Sequence, residues 1–197
     1  MINTGRIIEI FKETDVLRHG HFLLTSGRHS DSYMQCAKLL RYPNYTEEII
    51  KGLAEEFKQD KIDIVIGPAI GGIIISYEFA RQLNAISYFA ERENNIMTLR
   101  RGFTIPRGAR VLVVEDVITT GGSVKEVINI VEEQGGIVVG VSVLADRTDG
   151  KIDFGKKLIS AFSSKISSYT ADECPLCKEE NLPLEKPGSK NLTVSII

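Results

Sequence analysis

No stretch of this chain approaches the roughly 20 consecutive apolar residues that a membrane-spanning helix needs, so no membrane partner is expected. Its first residues, MINTGRIIEIFKETD, set acids where a secretory signal needs an apolar centre and a small-residue cleavage site, and no signal peptide is expected either. Charge of one sign is missing too. Twenty-four Lys+Arg against 26 Asp+Glu leave a net −2 with no like-charged block, so nothing marks a nucleic-acid partner. Cysteine is confined to Cys36, Cys174 and Cys177. An odd, low count without a secretion signal excludes a disulfide framework and points to a reducing cytoplasm. There is no long-period repeat. A GxGxxG fingerprint and a Gly-Lys-Ser/Thr loop are both absent, which removes the dinucleotide and Walker A readings.

What is there fits a globular α/β chain. With 197 residues, 43% hydrophobic and 25% charged, one well-buried domain with a small appendage is expected. Residues 4–18 carry apolar positions at Ile7, Ile8, Phe11, Val16 and Leu17, which predicts an amphipathic helix capped by Asn3 or Thr4 and stopped at His19-Gly20. Residues 21–35 mix β-formers with turn residues and predict a hairpin. A helix after Pro43 presents Tyr45, Ile49, Ile50, Leu53 and Phe57. Strands are then predicted over 62–66, 85–89, 111–114 and 137–144, and helices over 73–83 and 123–134. Residues 91–102 form a polar, charged segment. Continuously apolar strands alternating with helices imply a mainly parallel sheet flanked by helices. The tail from Asp172 reads as a lightly structured cap.

The chemistry concentrates in residues 111–123, VLVVEDVITTGGS. Four β-formers make a buried strand, and Glu115 and Asp116 fall at its carboxyl end, where open α/β sheets bind ligands. Thr119, Thr120, Gly121, Gly122 and Ser123 then make a small-residue turn into a helix. Backbone N–H groups of such a turn, with the unpaired donors of the helix start, form an anion site. Glycine permits positive φ and close approach of a phosphate. A phosphate alone gains nothing from neighbouring carboxylates. Acids beside an anion cradle suit a ligand that also carries hydroxyls or magnesium, as a ribose 5-phosphate does.

Residues 113–123 resemble the signature of the type I phosphoribosyltransferases. Other segments resemble the orotate phosphoribosyltransferases within them: residues 21–33, HFLLTSGRHSDSY, as an N-terminal strand pair; residues 67–72, GPAIGG, as a pyrophosphate loop; Ala145, Asp146 and Arg147 after a strand; and a CPLC…KPGS tail. The resemblance implies a type I phosphoribosyltransferase fold with a small hood from residues 1–40 and a C-terminal cap over 172–197. It implies transfer of the phosphoribosyl group from 5-phosphoribosyl 1-pyrophosphate to orotate, giving orotidine 5′-phosphate and pyrophosphate in pyrimidine biosynthesis. Magnesium would arrive with the donor rather than on protein ligands, and a homodimer is expected. By the same resemblance Glu115 and Asp116 hold the ribose hydroxyls, and Val117, Ile118 and Thr119 to Ser123 hold the 5′-phosphate, Thr119 also approaching orotate. Ala69, Ile70 and Gly71 meet pyrophosphate. Arg147 faces the orotate carboxylate, where a guanidinium can donate two parallel hydrogen bonds; an ion pair with Asp146 or Asp149 is its structural alternative. Ser26, Gly27 and Arg28 fall in the hood, Arg28 as a ligand group or a surface charge.

Departures from the pattern cluster in the mobile loop. Better-known branches carry an arginine–lysine–lysine–histidine set there, whereas residues 91–103, ERENNIMTLRRGF, offer Arg92, Arg100 and Arg101. Gly71 and Thr25 also stand where those branches have lysine. Arg100 and Arg101 are expected to act as loop cations, reaching a neighbouring subunit's site, or else to be a solvated hairpin turn. Cys174 and Cys177 form a single CxxC, which alone is half a zinc site, a redox pair or a plain turn. No second CxxC accompanies it, and the three histidines all lie within residues 19–29, so a capped turn in the tail is the expectation. Two rival functions remain in view: a purine (adenine or xanthine) phosphoribosyltransferase, and a non-catalytic regulator that binds the phosphoribosyl ligand.

Overall fold

The computed structural model describes residues 3–24, 26–148, 150–163, 167–178 and 182–187. Along them run α1 (Thr4–Glu13), β1 (Leu17–Leu23), β2 (His29–Met34), α2 (Pro43–Ala54), β3 (Ile64–Pro68), α3 (Gly71–Leu83), β4 (Ile86–Glu93), β5 (Ile96–Thr98), β6 (Arg110–Ile118), α4 (Gly122–Glu133), β7 (Ile137–Asp146), β8 (Lys157–Ser163) and β9 (Leu184–Glu185). The chain divides into two compact units, one of Met1–Val16 with Gln35–Lys165 and one of Leu17–Met34 with Ile166–Ile197.

The first unit is built on a six-stranded sheet of order β5-β4-β3-β6-β7-β8. β4, β3, β6, β7 and β8 run parallel, and β5 returns antiparallel to β4. Val111, Leu112, Val113 and Val114 of β6 are fully buried, as are Ile64, Val65 and Ile66 of β3. Central parallel strands covered on both faces have no polar side, which is why their sequences run apolar without alternation. Helix α4 contributes Val124, Val127, Ile128 and Val131 to this core. Pro43 opens α2 at its first helical position, where a missing N–H costs nothing. Ile49, Ile50 and Leu53 of α2 are buried, and Phe57 is buried from the 3-10 turn that follows.

Several sequence expectations shift. The first helix ends at Glu13, not residue 18: the Thr14 hydroxyl donates to the Ile10 carbonyl at 2.6 Å, and Asp15 takes a left-handed φ of 57° that turns the chain away. Asn3 is the N-cap, accepting from the Gly5 N–H at 2.7 Å. The expected hood of residues 1–40 is corrected accordingly. Ile7, Ile10 and Phe11 are buried within the first unit, and Phe11 meets Phe162 of β8 edge-on at 5.6 Å, so α1 belongs to the sheet unit. The polar segment after β4 is an ordered hairpin pairing Glu91 with Thr98, Arg92 with Met97 and Glu93 with Ile96. Asn94 and Asn95, at φ 51° and 67°, make the turn that short hairpins favour. Strand β8, unanticipated, adds the sixth strand at the sheet edge.

The second unit is a three-stranded sheet of order β2-β1-β9. The expected hairpin is present, though its first strand starts at Leu17. The two-residue β9 adds parallel to β1, pairing His21 with Leu184 and Phe22 with Glu185. Tyr169 bridges His29 with two backbone hydrogen bonds of 2.8 Å. Arg28 donates to the Ser168 hydroxyl and carbonyl, so it ties hairpin to tail within this unit. The tail part of this unit begins before residue 172, where the cap was expected; residues 179–181 and 188–197 of that cap, and Thr25, lie outside the described residues.

Candidate active site

β6 runs on through the acids to Ile118, so Glu115 and Asp116 sit within the carboxyl end of the strand rather than beyond it. The two carboxyl groups lie close enough to perturb each other's protonation. Glu115 lines a cavity of about 250 Å³ with residues 117–124. Asp116 leans on the start of α3: a Cβ at Gly71 would lie 2.5 Å from its Oδ2 and 2.8 Å from its Cγ. Each carboxylate is held locally. The Asp116 N–H donates to Glu115 Oε1 at 2.9 Å, and the Val117 N–H to Asp116 Oδ1 at 2.7 Å. Burial, then the charge of Asp116, pushes the Glu115 carboxyl well above the ordinary carboxylate range. Burial also raises Asp116. The pair therefore gains from any ligand that supplies hydrogen-bond donors or positive charge.

Gly121 caps α4 at φ 72°, and a Cβ there would collide with Ile152 and Phe154. The loop thus needs glycine both for its backbone and for packing. Thr119, Thr120 and Gly122 are exposed and Ser123 is half-buried at the mouth of α4, whose first N–H groups have no intrahelical acceptor. On the other side of this turn Thr119 and Thr120 share an open cavity of about 560 Å³ with Lys125, Thr148, Lys151 and Ile152. The sequence reading passed over Lys125 and Lys151; the three-residue step from Gly122 to Lys125, placing a cation on the first turn of the anion-binding helix, was the available signal for one of them.

The neighbouring loop is equally tight. A Cβ on Gly67 would sit 2.8 Å from both the Gly72 and Val114 carbonyl oxygens, so only glycine lets β3, α3 and β6 converge there. The Ala69–Ile70 peptide is cis, the Ala69 N–H donates to Ala90 O at 2.7 Å, and Ile70 is exposed. Arg147 follows β7 at the same sheet edge, its N–H donating to the Ile118 carbonyl at 3.0 Å. Of its two expected ion-pair partners, Asp146 accepts from the Thr148 N–H and hydroxyl, both at 2.7 Å, and Asp149 lies outside the described residues. Cys36, fully buried, completes the neighbourhood: burial and then Asp116 push its thiol far up, while Arg147 opposes them.

Glu115, Asp116, Val117, Ile118, Thr119 to Ser123, Ala69, Ile70, Gly71 and Arg147 are therefore carried by the carboxyl ends of β3, β6 and β7. The three hairpin arginines are held elsewhere. Arg101 forms a two-pronged pair with Glu91 at 2.8 and 3.1 Å, Arg100 lies 3.3 Å from Glu93, and Arg92 pairs with Glu126 of α4. In the second unit, His21, His29, Cys174 and Cys177 bring their ligand atoms within 4.8 Å of one another, and the CxxC runs into the 3-10 turn Pro175–Lys178.

A phosphoribosyl transferase domain model matches residues 37–169. The chain is 59% identical over 187 residues to an orotate phosphoribosyltransferase of Caldanaerobacter subterraneus subsp. tengcongensis, covering 95% of this chain and 98% of that one. It is 50% identical to an orotate phosphoribosyltransferase of Thermotoga maritima, covering 94% and 99%. The crystal structure of orotate phosphoribosyltransferase from Aeropyrum pernix superposes with a TM-score of 0.69 at 28% identity, covering 81% of this chain and 94% of that one. With the strand-end acids and the TTGGS turn, these likenesses establish that the chain belongs to the phosphoribosyltransferases, in the orotate phosphoribosyltransferase family.

Proposed function

We propose that this protein transfers the 5-phosphoribosyl group of 5-phosphoribosyl 1-pyrophosphate to orotate, releasing pyrophosphate and forming orotidine 5′-phosphate. The observation that carries the reading is one cavity holding a carboxylate of β6 and the whole turn into α4. The 5′-phosphate accepts hydrogen bonds from the N–H groups and hydroxyls of residues 119–123. Glu115 and Asp116 accept from the ribose hydroxyls, which offsets the cost of holding two carboxylates close together. The close-packed turn of residues 67–72 offers amide donors to pyrophosphate. Arg147 takes the orotate carboxylate; this favours orotate over adenine or xanthine, which present no carboxylate. The complete set of loops likewise favours an enzyme over a ligand-binding regulator.

In the reaction the bond from the anomeric carbon to pyrophosphate oxygen breaks, and a bond from that carbon to an orotate nitrogen forms. The charge of orotate sits on its carboxylate, so the attacking ring nitrogen gives up its N–H proton as the bond forms, and the departing pyrophosphate takes that proton; the protein positions the two groups for both transfers. Negative charge builds on the departing pyrophosphate, where fixed donors and cations stabilise it, and positive charge builds on the ribose ring, where the Glu115 and Asp116 oxygens do. Magnesium, carried in on the phosphoribosyl donor rather than on protein ligands, would neutralise pyrophosphate charge. Arg100 and Arg101 serve as loop cations. Their present partners are the half-buried Glu91 and the exposed Glu93, and pairs near the surface exchange readily for a more highly charged anion. A second subunit completing the site, and a reducing cytoplasm for the three free thiols, belong to the same proposal. No helix among the described residues is long and apolar enough to cross a membrane. The test follows orotate absorbance in protein supplied with magnesium and the phosphoribosyl donor. Loss of absorbance is expected; turnover of adenine or xanthine instead refutes the substrate assignment.

A further inference from the structure

The second unit has little to hold it together. Its described core comprises Phe22, Met34 and Cys174 with the polar His21, His29 and Ser30. It is assembled from two stretches separated by Gln35–Lys165, and its third strand is two residues long. So small an apolar core rarely suffices, and small units of this kind commonly depend on a disulfide or a metal.

At its centre stand His21 of β1, His29 of β2, and Cys174 and Cys177 around the 3-10 turn Pro175–Lys178. His21 Nε2 lies 2.9 Å from His29 Nδ1, 3.6 Å from Cys174 Sγ and 3.7 Å from Cys177 Sγ. Cys177 Sγ is 3.2 Å from His29 Nδ1. A tetrahedral zinc with Zn–S of about 2.3 Å and Zn–N of about 2.05 Å requires S···N edges of roughly 3.5 Å and an N···N edge of roughly 3.3 Å. These four separations scatter around those edges and the remaining two lie within 4.8 Å, so one ion fits once the ligands close in by up to about 1 Å.

The protonation pattern agrees. The Leu182 carbonyl, 3.3 Å from His21 Nδ1, can only accept, so it takes the proton of that nitrogen. Nε2 is then a lone pair aimed into the cluster, and a backbone carbonyl holding the far nitrogen is the usual support of a metal-bound histidine. Charge also balances: two thiolates and two neutral imidazoles around a divalent ion leave no net charge on a site where both histidines and Cys174 are buried. Two sulfurs and two nitrogens in tetrahedral array select zinc among the common divalent ions.

We infer that His21, His29, Cys174 and Cys177 bind a structural zinc ion that pins the carboxyl-terminal tail to the β1–β2 hairpin. All four positions are protein ligands, so no coordination site is left open for a substrate. This inference rests on the second unit alone and is independent of the phosphoribosyl chemistry.

The test is the metal content of the full-length protein, purified reduced, without chelators, and supplied with zinc before desalting. About one zinc per chain is expected, falling below roughly 0.1 per chain in the Cys174→Ala/Cys177→Ala variant. Exchange for cobalt should give the intense visible absorption of a tetrahedral thiolate–imidazole site in the wild-type protein, a readout that needs no variant to fold. His29→Cys, which keeps a ligand in place, should retain zinc, and His29→Ala should lose it. Wild-type protein that holds no zinc, zinc retained by the double-alanine variant, or a Cys174–Cys177 disulfide as the dominant species after thiol trapping would each overturn the assignment.

Discussion

Gly71 is the position where family resemblance and structure make opposite predictions. Better-known branches of the family place lysine there, so Gly71→Lys looks like the restoration of a pyrophosphate-binding cation. The structure says otherwise. A Cβ at this position would lie 2.5 Å from Asp116 Oδ2, 2.8 Å from Cγ and 3.2 Å from Cβ. Rotating the carboxyl group cannot relieve a clash that reaches back to Cγ, so the Asp116 side chain must move by about 1 Å to restore ordinary contact near 3.5 Å. The hydrogen bond from the Val117 N–H at 2.7 Å resists that movement. Displacing a substrate-positioning group by about 1 Å can cost up to 10²-fold. We therefore expect Gly71→Ala and Gly71→Lys to lower kcat/KM for the phosphoribosyl donor by about 10- to 100-fold, or about 1.4–2.7 kcal/mol of transition-state stabilisation. Stability should fall by about 1–3 kcal/mol, as for other overpacked sites. The assay is orotate absorbance at varied donor concentration, with thermal melts to separate binding from folding. In an Asp116→Ala background the further effect of Gly71→Ala should largely vanish, since the two changes share one contact. Wild-type kcat/KM in Gly71→Ala, or improved turnover in Gly71→Lys, would refute the reasoning.

Three other predictions follow from the same geometry. Glu115 holds its proton to higher pH in the folded chain than in the unfolded one, whose value is near 4.5; the folded state thus binds more protons above that value, and stability of the ligand-free protein should fall as pH rises over roughly pH 5 to 8. Glu115→Gln should flatten that fall in melts taken across the range, and an unchanged slope would show that this carboxyl does not cause it. Arg147→Ala should raise KM for orotate by about 10-fold or more, as expected when a charged hydrogen-bonding partner is removed, while leaving KM for the donor nearly unchanged; equal effects on both substrates would remove its assigned role. The Arg100→Ala/Arg101→Ala variant should lower kcat by about 10-fold or more if the hairpin cations stabilise pyrophosphate, and unaltered turnover would assign them to their ion pairs with Glu91 and Glu93.

Much of the sheet unit was legible because buried parallel strands and amphipathic helices write their periods into the chain: residues 62–66, 111–114 and 137–144 each lie wholly or mostly in a strand of the sheet. The TTGGS turn was legible because its backbone requirements exclude most residues. What escaped depended on three-dimensional neighbours. Val16 and Leu17 continue the apolar spacing of α1, but the left-handed Asp15 ends the helix before them. The polarity of residues 91–102 hid a hairpin because an edge strand needs one buried residue, Met97, and tolerates charge elsewhere.

Counting ligands along the chain suits continuous zinc modules but does not register a cluster assembled from distant segments, such as His21, His29, Cys174 and Cys177. His21 and His29 lie close because β1 and β2 pair antiparallel, with Phe22 opposite Ser30 and Leu23 opposite His29, setting the two imidazoles diagonally on one face. The cysteines reach them only because the tail returns to the same sheet, through the Tyr169 bridge to His29 and the pairing of β9 with β1. Neither backbone contact is extensive, and two strand residues contribute little ordering by themselves. The metal inference and the corrected unit boundaries therefore have one cause. A segment that begins at Leu17 rather than Met1, and closes with a tail from beyond Lys165, lacks the apolar helix that would otherwise have given it a core, and a zinc ion on the four converging ligands would supply the missing cross-link.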